Sequence, residues 1–133
     1  FSFKVIITGG PQDIDLAEKI KSLMLEKPFI LAGRLNLKQF ASLCKRLDLF
    51  ISADSGPLHI ANTVNTKRII ALFGPTSLVN TSPYPLDRVK ILKKEIDCRI
   101  PCYNLNCKDN QCMKRIRPED VIQKLEEFDL TSR

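Results

Sequence analysis

The sequence predicts an α/β fold: a Rossmann-like parallel sheet with helices on both faces. Short apolar segments rich in β-branched residues alternate with segments whose apolar residues recur every three or four positions, which is the alternation of strands and helices in a parallel sheet. The segment Leu49–Ala53 lacks the polar alternation of a half-exposed strand, as expected of a strand covered on both faces. A chain of 133 residues is long enough to bury one hydrophobic core.

The first predicted strand is Lys4–Thr8, and the turn residues Gly9-Gly10-Pro11 end it. Asp13 is placed to cap the next helix, because its carboxylate can accept hydrogen bonds from the free amides of a first turn. That helix is predicted over residues 14–26, since apolar side chains recur at helical spacing and Pro28 stops it.

A second strand is predicted at Phe29–Leu31. Asn36, followed three residues later by Gln39, is a capping-box pattern. It predicts a helix whose apolar side carries Leu37, Phe40, Ala41, Cys44 and Leu47.

Leu49–Ala53 is the third predicted strand. Ser55-Gly56-Pro57 after it predicts another helix, because proline suits a first helical turn. The remaining predicted segments are two strands, a cysteine-rich loop and a last helix: Ile69–Phe73, Val89–Leu92, residues 97–113 and the segment from Arg117 onward.

The composition is that of a soluble globular protein, with 44% hydrophobic and 27% charged residues. No apolar run approaches the roughly 18 residues that a membrane-spanning helix needs, and the first residues do not resemble a secretion signal. We therefore expect a cytoplasmic protein. Because Phe1–Ile7 already has the composition of a strand, we also expect residues 1–133 to be one domain of a longer protein, truncated at its N-terminus.

The net charge of +6 arises in one stretch. Between Arg88 and Arg117 nine lysines and arginines stand against three acidic residues, which gives +6, and the rest of the chain sums to zero. A basic surface of this kind suits nucleotide phosphates, an anionic membrane or nucleic acid, and the alternative is a solvated face with no partner. Tyr103 is the one aromatic residue in the stretch, so recognition of single-stranded nucleic acid by base stacking is poorly supported.

The segment most informative about function is Asp54-Ser55-Gly56-Pro57-Leu58-His59. It follows a predicted strand and begins a helix, which is where open α/β sheets bind ligands. Gly56 lets a ligand approach the amides of the first helical turn, and these amides with the helix dipole suit a diphosphate. Ser55 and His59 can donate to the same anion, while Asp54 can accept from a hydroxyl or a base. The alternative is that Ser55 only caps the helix and His59 is a surface residue.

Two other loops follow predicted strands and would border the same crevice. Gly74, Thr76 and Ser77 would complete a phosphate cradle if the third and fourth strands are neighbours. Asp13, in the first loop, would accept from ribose hydroxyls or serve only as a helix cap. His59 is the one histidine of the chain, so a histidine-rich metal site is not expected.

Four of the five cysteines fall in the predicted loop: Cys98, Cys102, Cys107 and Cys112. Four thiolates can enclose a zinc ion, although the spacing lacks the paired Cys-x-x-Cys of common zinc sites. One or two disulfides, or free thiols that pack the loop, are the alternatives that stay open. Cys44 lies on the apolar side of a predicted helix and is expected in the core.

Three motifs together resemble glycosyltransferase family 9, which includes the ADP-heptose:lipopolysaccharide heptosyltransferases. Their order and spacing match the family along nearly the whole chain, and the cysteines before the last helix resemble the end of many members. The motifs are Leu31-Ala-Gly-Arg-Leu-Asn-Leu37, Ile51-Ser-Ala-Asp-Ser-Gly-Pro-Leu-His-Ile-Ala-Asn62 and Ile70-Ala-Leu-Phe-Gly-Pro-Thr76.

The resemblance implies the C-terminal half of a GT-B fold, the domain that binds the nucleotide-sugar donor. It implies that the diphosphate and sugar are held by Asp54, Ser55, Gly56 and His59. The resemblance also implies a ribose contact at Asp13 or Asp15 and an adenine pocket lined by Leu35.

The resemblance further implies an inverting, metal-independent transferase whose general base lies in the other domain. No catalytic residue is therefore expected here, and the chain alone should bind an ADP-sugar weakly and transfer nothing. The donor is expected to be ADP-heptose and the acceptor lipopolysaccharide core, met through the other domain at the inner face of the membrane. Two other classes stay open: a non-catalytic nucleotide- or phosphate-binding module, and a nucleic-acid-binding domain.

Overall fold

The computed structural model describes residues 3–104 and 106–128, so Phe1 and Ser2, which precede the predicted strand Lys4–Thr8, lie outside them. The strands within these ranges are parallel, with helices between them, and the predicted α/β class is confirmed. The chain divides into two compact units, Phe1–Phe40 and Ala41–Arg133. No helix in the described ranges is long and apolar enough to cross a membrane.

The first unit has a two-stranded sheet, in which Ile6 lies opposite Phe29. The first helix ends at Leu23 rather than at residue 26, because the backbone of Met24 is extended (φ −83°, ψ 139°). Lys27 Nζ donates to the carbonyl oxygens of Lys21 and Met24 at 3.2 and 2.9 Å. These bonds satisfy carbonyl groups that a helix end leaves free. The elements are β1 (Ile6–Ile7), a 3-10 helix (Pro11–Asp13), α1 (Ile14–Leu23) and β2 (Phe29–Ile30).

The helix α2 (Leu37–Cys44) begins as the capping box predicted. The Asn36 N–H donates to Gln39 Oε1 and the Gln39 N–H donates to Asn36 Oδ1, each at 2.9 Å. The helix stops short of the predicted Leu47, whose N–H bonds to the carbonyl of Cys44 three residues back. Such three-residue bonds tighten the last turn of many helices.

The second unit is built on a three-stranded parallel sheet with neighbouring strands in the order β3 (Phe50–Ala53), β4 (Ile69–Phe73) and β5 (Val89–Lys93). The central strand is apolar and covered on both faces, with Ile69, Ile70, Ala71 and Phe73 at 0% exposure. β3 is an edge strand of this sheet, and Ile51 on it is 47% exposed. The sequence predicts that β3 is covered on both faces, but of the three strands only β4 is fully covered.

Two helices of the second unit have a proline in their first turn, as predicted: α3 (Gly56–Thr63) and α6 (Pro118–Glu126). Both pack on the sheet, where Leu58 of α3 and Leu125 of α6 are buried.

Two further short helices were not predicted, α4 (Leu78–Thr81) and α5 (Gln111–Lys114). The second begins inside residues 97–113, so the prediction of a loop throughout that segment is wrong. Asn110 makes this possible, since asparagine tolerates the left-handed backbone (φ 46°) that precedes α5.

A candidate anion site at the carboxyl end of the sheet

The turn after β3 and the loop after β4 lie side by side. Their strands are hydrogen-bonded neighbours, with Ala53 opposite Leu72, and the Asp54 N–H continues the pairing by donating to the Leu72 carbonyl at 3.1 Å. The third and fourth strands are therefore neighbours, which is what the prediction that the two loops lie together requires. Both loops leave the carboxyl end of the parallel sheet, where open α/β sheets bind ligands.

The turn after β3 presents free amides. Ser55 has an extended backbone (φ −162°, ψ 171°) at the start of α3, and its carbonyl accepts from the Leu58 N–H at 3.1 Å. The N–H groups of Ser55 and Gly56 have no hydrogen-bond partner among the residues that the structure describes. Since the positive end of the α3 dipole adds to these donors, the turn favours a bound anion.

Gly56 keeps the approach to these amides open. A β-carbon built on Gly56 would meet no atom within 4 Å, so neighbouring protein atoms do not require a glycine here. Its backbone is also helical, which any residue adopts. The space beside Gly56 is therefore available to a ligand, as the sequence predicts.

The Ser55 hydroxyl does not cap α3, so the capping alternative is wrong. Its Oγ donates to the carbonyl of Ala53 at 3.1 Å and lies 3.4 Å from Ser52 Oγ. The hydroxyl is held against the end of β3 instead, which leaves the first-turn amides of α3 without a side-chain partner.

Asp54 is nearly buried and held by a residue that the sequence analysis missed. Its side chain is 8% exposed, and Oδ2 accepts from Thr81 Oγ1 at 2.6 Å. Thr81 Oγ1 also lies 2.9 Å from the Ser77 carbonyl, but a hydroxyl has one proton, and the charged, closer acceptor forms the stronger bond. Ser77 and Thr81 are hydroxyl residues four positions apart, and this spacing is the sequence signal from which α4 could have been predicted.

His59 lies one turn into α3, beside Asp54. Its Nε2 is 3.7 Å from Asp54 Oδ1, and its side chain is 47% exposed. The imidazole is thus half in solvent, on the helix whose first turn carries the free amides. When protonated, it adds a positive charge to that end of the helix.

Two predicted residues of the loop after β4 are packed by protein atoms. A β-carbon on Gly74 would lie 2.5 Å from Met113 Sδ and 3.4 Å from Cys112 Sγ, so α5 occupies the space beside Gly74, and a side chain there would require Met113 to move. Thr76 Oγ1 is buried with no hydrogen-bond partner in the described chain. Ser77 precedes α4, and its side chain makes no capping bond.

Asp13 and Leu35 belong to the first unit, so their part in a ligand site stays a prediction. Asp13 lies at the N-cap position of α1, as predicted, but its side chain makes no capping hydrogen bond to that helix. Its Oδ2 accepts from the Gly10 N–H at 2.8 Å and from Gln12 Nε2 at 3.3 Å, because the 3-10 helix before α1 turns the carboxylate back toward the glycine loop. Leu35 is half-buried between β2 and α2.

The cysteine segment is tied to the loop after β4. The Cys102 N–H donates to the Pro75 carbonyl at 2.8 Å, and Cys112 Sγ lies 3.4 Å from Asn110 Oδ1. All five cysteines are separate thiols. Within the described ranges, no three histidine, cysteine or acidic side chains are grouped to hold a metal ion. Cys44 is fully buried, as predicted, and burial raises the pKa of its thiol to about 11.

Comparisons with known proteins agree with this architecture. The profile of the family described as glycosyltransferase family 9 (heptosyltransferase) matches residues 1–113. Lipooligosaccharide heptosyltransferase 2 of Campylobacter jejuni serotype O:6 is 33% identical over 133 residues, which cover 96% of this chain and 42% of that protein. The chain thus spans about two fifths of the length of this relative.

Two solved structures share the fold. A family 9 glycosyl transferase from Veillonella parvula matches with a TM-score of 0.81 at 26% identity, over 94% of this chain and 36% of that one. ADP-heptose LPS heptosyltransferase II of Escherichia coli matches with a TM-score of 0.75 at 20% identity, over 95% and 36%.

Proposed function

The chain belongs to glycosyltransferase family 9, and on that premise we propose that it binds the nucleotide-sugar donor of an enzyme that glycosylates lipopolysaccharide core. The donor we propose is ADP-heptose, the nucleotide sugar in the name of the E. coli structure that shares the fold. The observation that carries the proposal is the pair of unpartnered amides at Ser55 and Gly56, at the start of α3 and open to solvent.

Each residue of the turn has a proposed part in binding. The amides of Ser55 and Gly56 donate to diphosphate oxygens, and protonated His59 adds a charged donor to the same group. Asp54, held through Oδ2 by Thr81, keeps its second oxygen for a sugar hydroxyl. Asp13 and Leu35 are proposed as the ribose and adenine contacts.

The proposed chemistry is an inverting displacement without a metal ion, as the family resemblance implies. Negative charge grows on the diphosphate as it leaves the sugar, and donors fixed in place lower the free energy of that transition state. The acceptor hydroxyl must also lose a proton to a general base. We assign that base to the acceptor-binding domain, so this chain alone should bind donor weakly and transfer nothing.

We further propose a cytoplasmic location at the inner membrane, where the lipid-linked acceptor would be reached through the other domain. A non-catalytic nucleotide-binding module is the second candidate, and the same free amides suit it equally. A transfer assay on the full-length protein separates the two, because the module would bind ADP-heptose and release it unchanged.

Titration with ADP, AMP and ADP-heptose tests donor binding directly. We expect ADP to bind about tenfold more tightly than AMP, because AMP lacks the second phosphate for the α3 amides. Gly56→Val should weaken ADP binding by at least about tenfold while the unfolding midpoint stays near that of the wild type, since the new side chain enters open space.

Thr63→Val, at the other end of α3, is the matched control and should leave ADP affinity unchanged. Equal ADP affinity in wild type and Gly56→Val would show that the turn does not bind the diphosphate.

A further inference from the structure

Five of the nine basic residues between Arg88 and Arg117 line one open groove in the second unit. The groove has a volume of about 850 Å³, and its walls come from the end of β5, from α5 and from the start of α6. The proposed donor site uses none of these residues. The basic side chains are Lys93, Lys94, Lys114, Arg115 and Arg117.

The groove carries excess positive charge. Glu95 and Asp120 are its two acidic residues, and two set against five leaves three positive charges. Asp120 is already paired, with Oδ1 2.6 Å from Lys94 Nζ and Oδ2 accepting from the Arg117 N–H at 2.8 Å. These donors, the Lys94 side chain first, lower the pKa of the Asp120 carboxyl.

None of the other four basic side chains forms a salt bridge within the described residues. The Arg117 guanidinium attracts the Asp120 carboxylate, which is already paired with Lys94. Lys114 Nζ and Arg115 Nη1 donate to the carbonyls of Lys108 and Glu95, at 3.3 and 3.1 Å, and these neutral acceptors leave the charge uncompensated. Like charges around one concavity repel each other, and an anion that enters relieves the repulsion.

We propose that this basic groove binds a phosphate group, either free in solution or on the headgroup of an anionic lipid. Phosphate suits the lining, because guanidinium and ammonium groups donate several charge-assisted hydrogen bonds to its oxygens. Nucleic acid is disfavoured because no aromatic residue in the described part of the chain lines the groove, and single strands need stacking platforms.

The groove is separate from the turn at Gly56. It lies at the carboxyl end of β5, and the turn lies at the end of β3, two strand spacings or about 10 Å across the sheet. Between them Met113 of α5 packs against Gly74 at the end of β4. The role of the groove in the reaction rests on the proposed function. If that function holds, the groove would position a phosphate-bearing second substrate beside the donor.

Two probes and two matched double variants test the proposal. The probes are inorganic phosphate and phosphatidylcholine vesicles with and without phosphatidylglycerol, titrated at about 0.15 M salt. Lys93→Gln with Arg117→Gln removes two of the five basic charges of the groove. Lys45→Gln with Arg46→Gln removes the same residue types from exposed positions after α2.

We expect the groove variant to lose affinity for at least one probe by about tenfold or more, while the control variant changes by less than about twofold. Loss for inorganic phosphate identifies a free phosphate ligand, and loss for the phosphatidylglycerol vesicles alone identifies a lipid headgroup. Equal affinities in the two variants for both probes overturn the proposal, as does single-stranded DNA that binds more tightly than either probe.

ADP affinity separates this proposal from the donor site. The groove variant should bind ADP like the wild type. The wild-type chain could fail to bind ADP while the groove variant still shows a loss of affinity for phosphate. That result would reject the donor site and support the groove.

Discussion

The hydroxyl of Thr81 donates a 2.6 Å hydrogen bond to Oδ2 of Asp54, 27 residues earlier in the chain. This bond joins the turn after β3 to the short helix after β4. Because the Asp54 side chain is only 8% exposed, water could not easily replace the Thr81 hydroxyl as its hydrogen-bond donor. Thr81 therefore fixes which carboxylate oxygen of Asp54 faces His59, and the geometry of the proposed donor site depends on a residue outside its sequence motif.

Replacing Thr81 with valine tests this relationship. Thr81→Val removes the donor and leaves a nearly buried carboxylate with one partner fewer, so we expect a loss of about 1–3 kcal/mol in the free energy of unfolding. Urea denaturation measures it. Thr81→Ser retains the hydroxyl and should recover most of the loss.

Thr63→Val is the matched control for this prediction. The Thr63 hydroxyl donates to the His59 carbonyl, four residues back in the same helix, at 2.8 Å, and it contacts no carboxylate of the described residues. Its replacement should cost well under about 1 kcal/mol. Equal losses at Thr63 and Thr81 would show that the bond to Asp54 adds no stability.

Gly74 should tolerate a side chain less well than Gly56 does. Gly74→Ala places a β-carbon 2.5 Å from Met113 Sδ, so the flexible Met113 side chain must move, and we expect a loss of about 1 kcal/mol, at the low end of the cost of overpacking. Thermal unfolding of Gly74→Ala and Gly56→Ala compares the two positions. Adding Met113→Ala to Gly74→Ala should relieve part of the loss. Equal stability of the two glycine variants would contradict the packing of α5 on this loop.

The ion pair between Lys94 and Asp120 predicts a dependence of stability on acid. The pKa of Asp120 is lowered in the folded chain from its ordinary value of 3.8, first by the hydrogen bond from Lys94. A lowered carboxyl pKa stabilises the fold at pH values above the ordinary pKa, and this contribution is lost as the pH falls through the folded pKa.

Urea midpoints at about pH 6 and about pH 3 measure this contribution. The wild type should lose more stability on acidification than Asp120→Asn, because that variant has no carboxylate to protonate at residue 120. An equal loss in the two proteins would show that the pair does not contribute.

Cys44 should be the least reactive thiol of the chain. It is 0% exposed and its pKa is raised to about 11 by burial, so little thiolate forms near neutral pH and reagents cannot reach it. Cys98 and Cys107 are exposed. Brief alkylation of the native chain with mass-spectrometric readout should label these two well before Cys44. Early labelling of Cys44 would place α2 outside the core.

Local sequence determined the elements whose signals lie within a few residues. The capping box of Asn36 and Gln39, the prolines at the starts of α3 and α6, and the apolar run of β4 each specify their structure through neighbours in the chain. The same short-range information brought Asp54, Ser55, Gly56 and His59 to the end of a strand and the start of a helix. These features could be predicted because hydrogen bonding and apolar periodicity act locally.

Tertiary structure alone decided what those residues touch. Thr81 reaches Asp54, Met113 fills the space beside Gly74, and Lys93 and Arg117 meet in one groove. Each of these pairs is separated by more than twenty residues. No local pattern encodes such contacts, because they form only when neighbouring strands set their loops side by side at the same edge of the sheet.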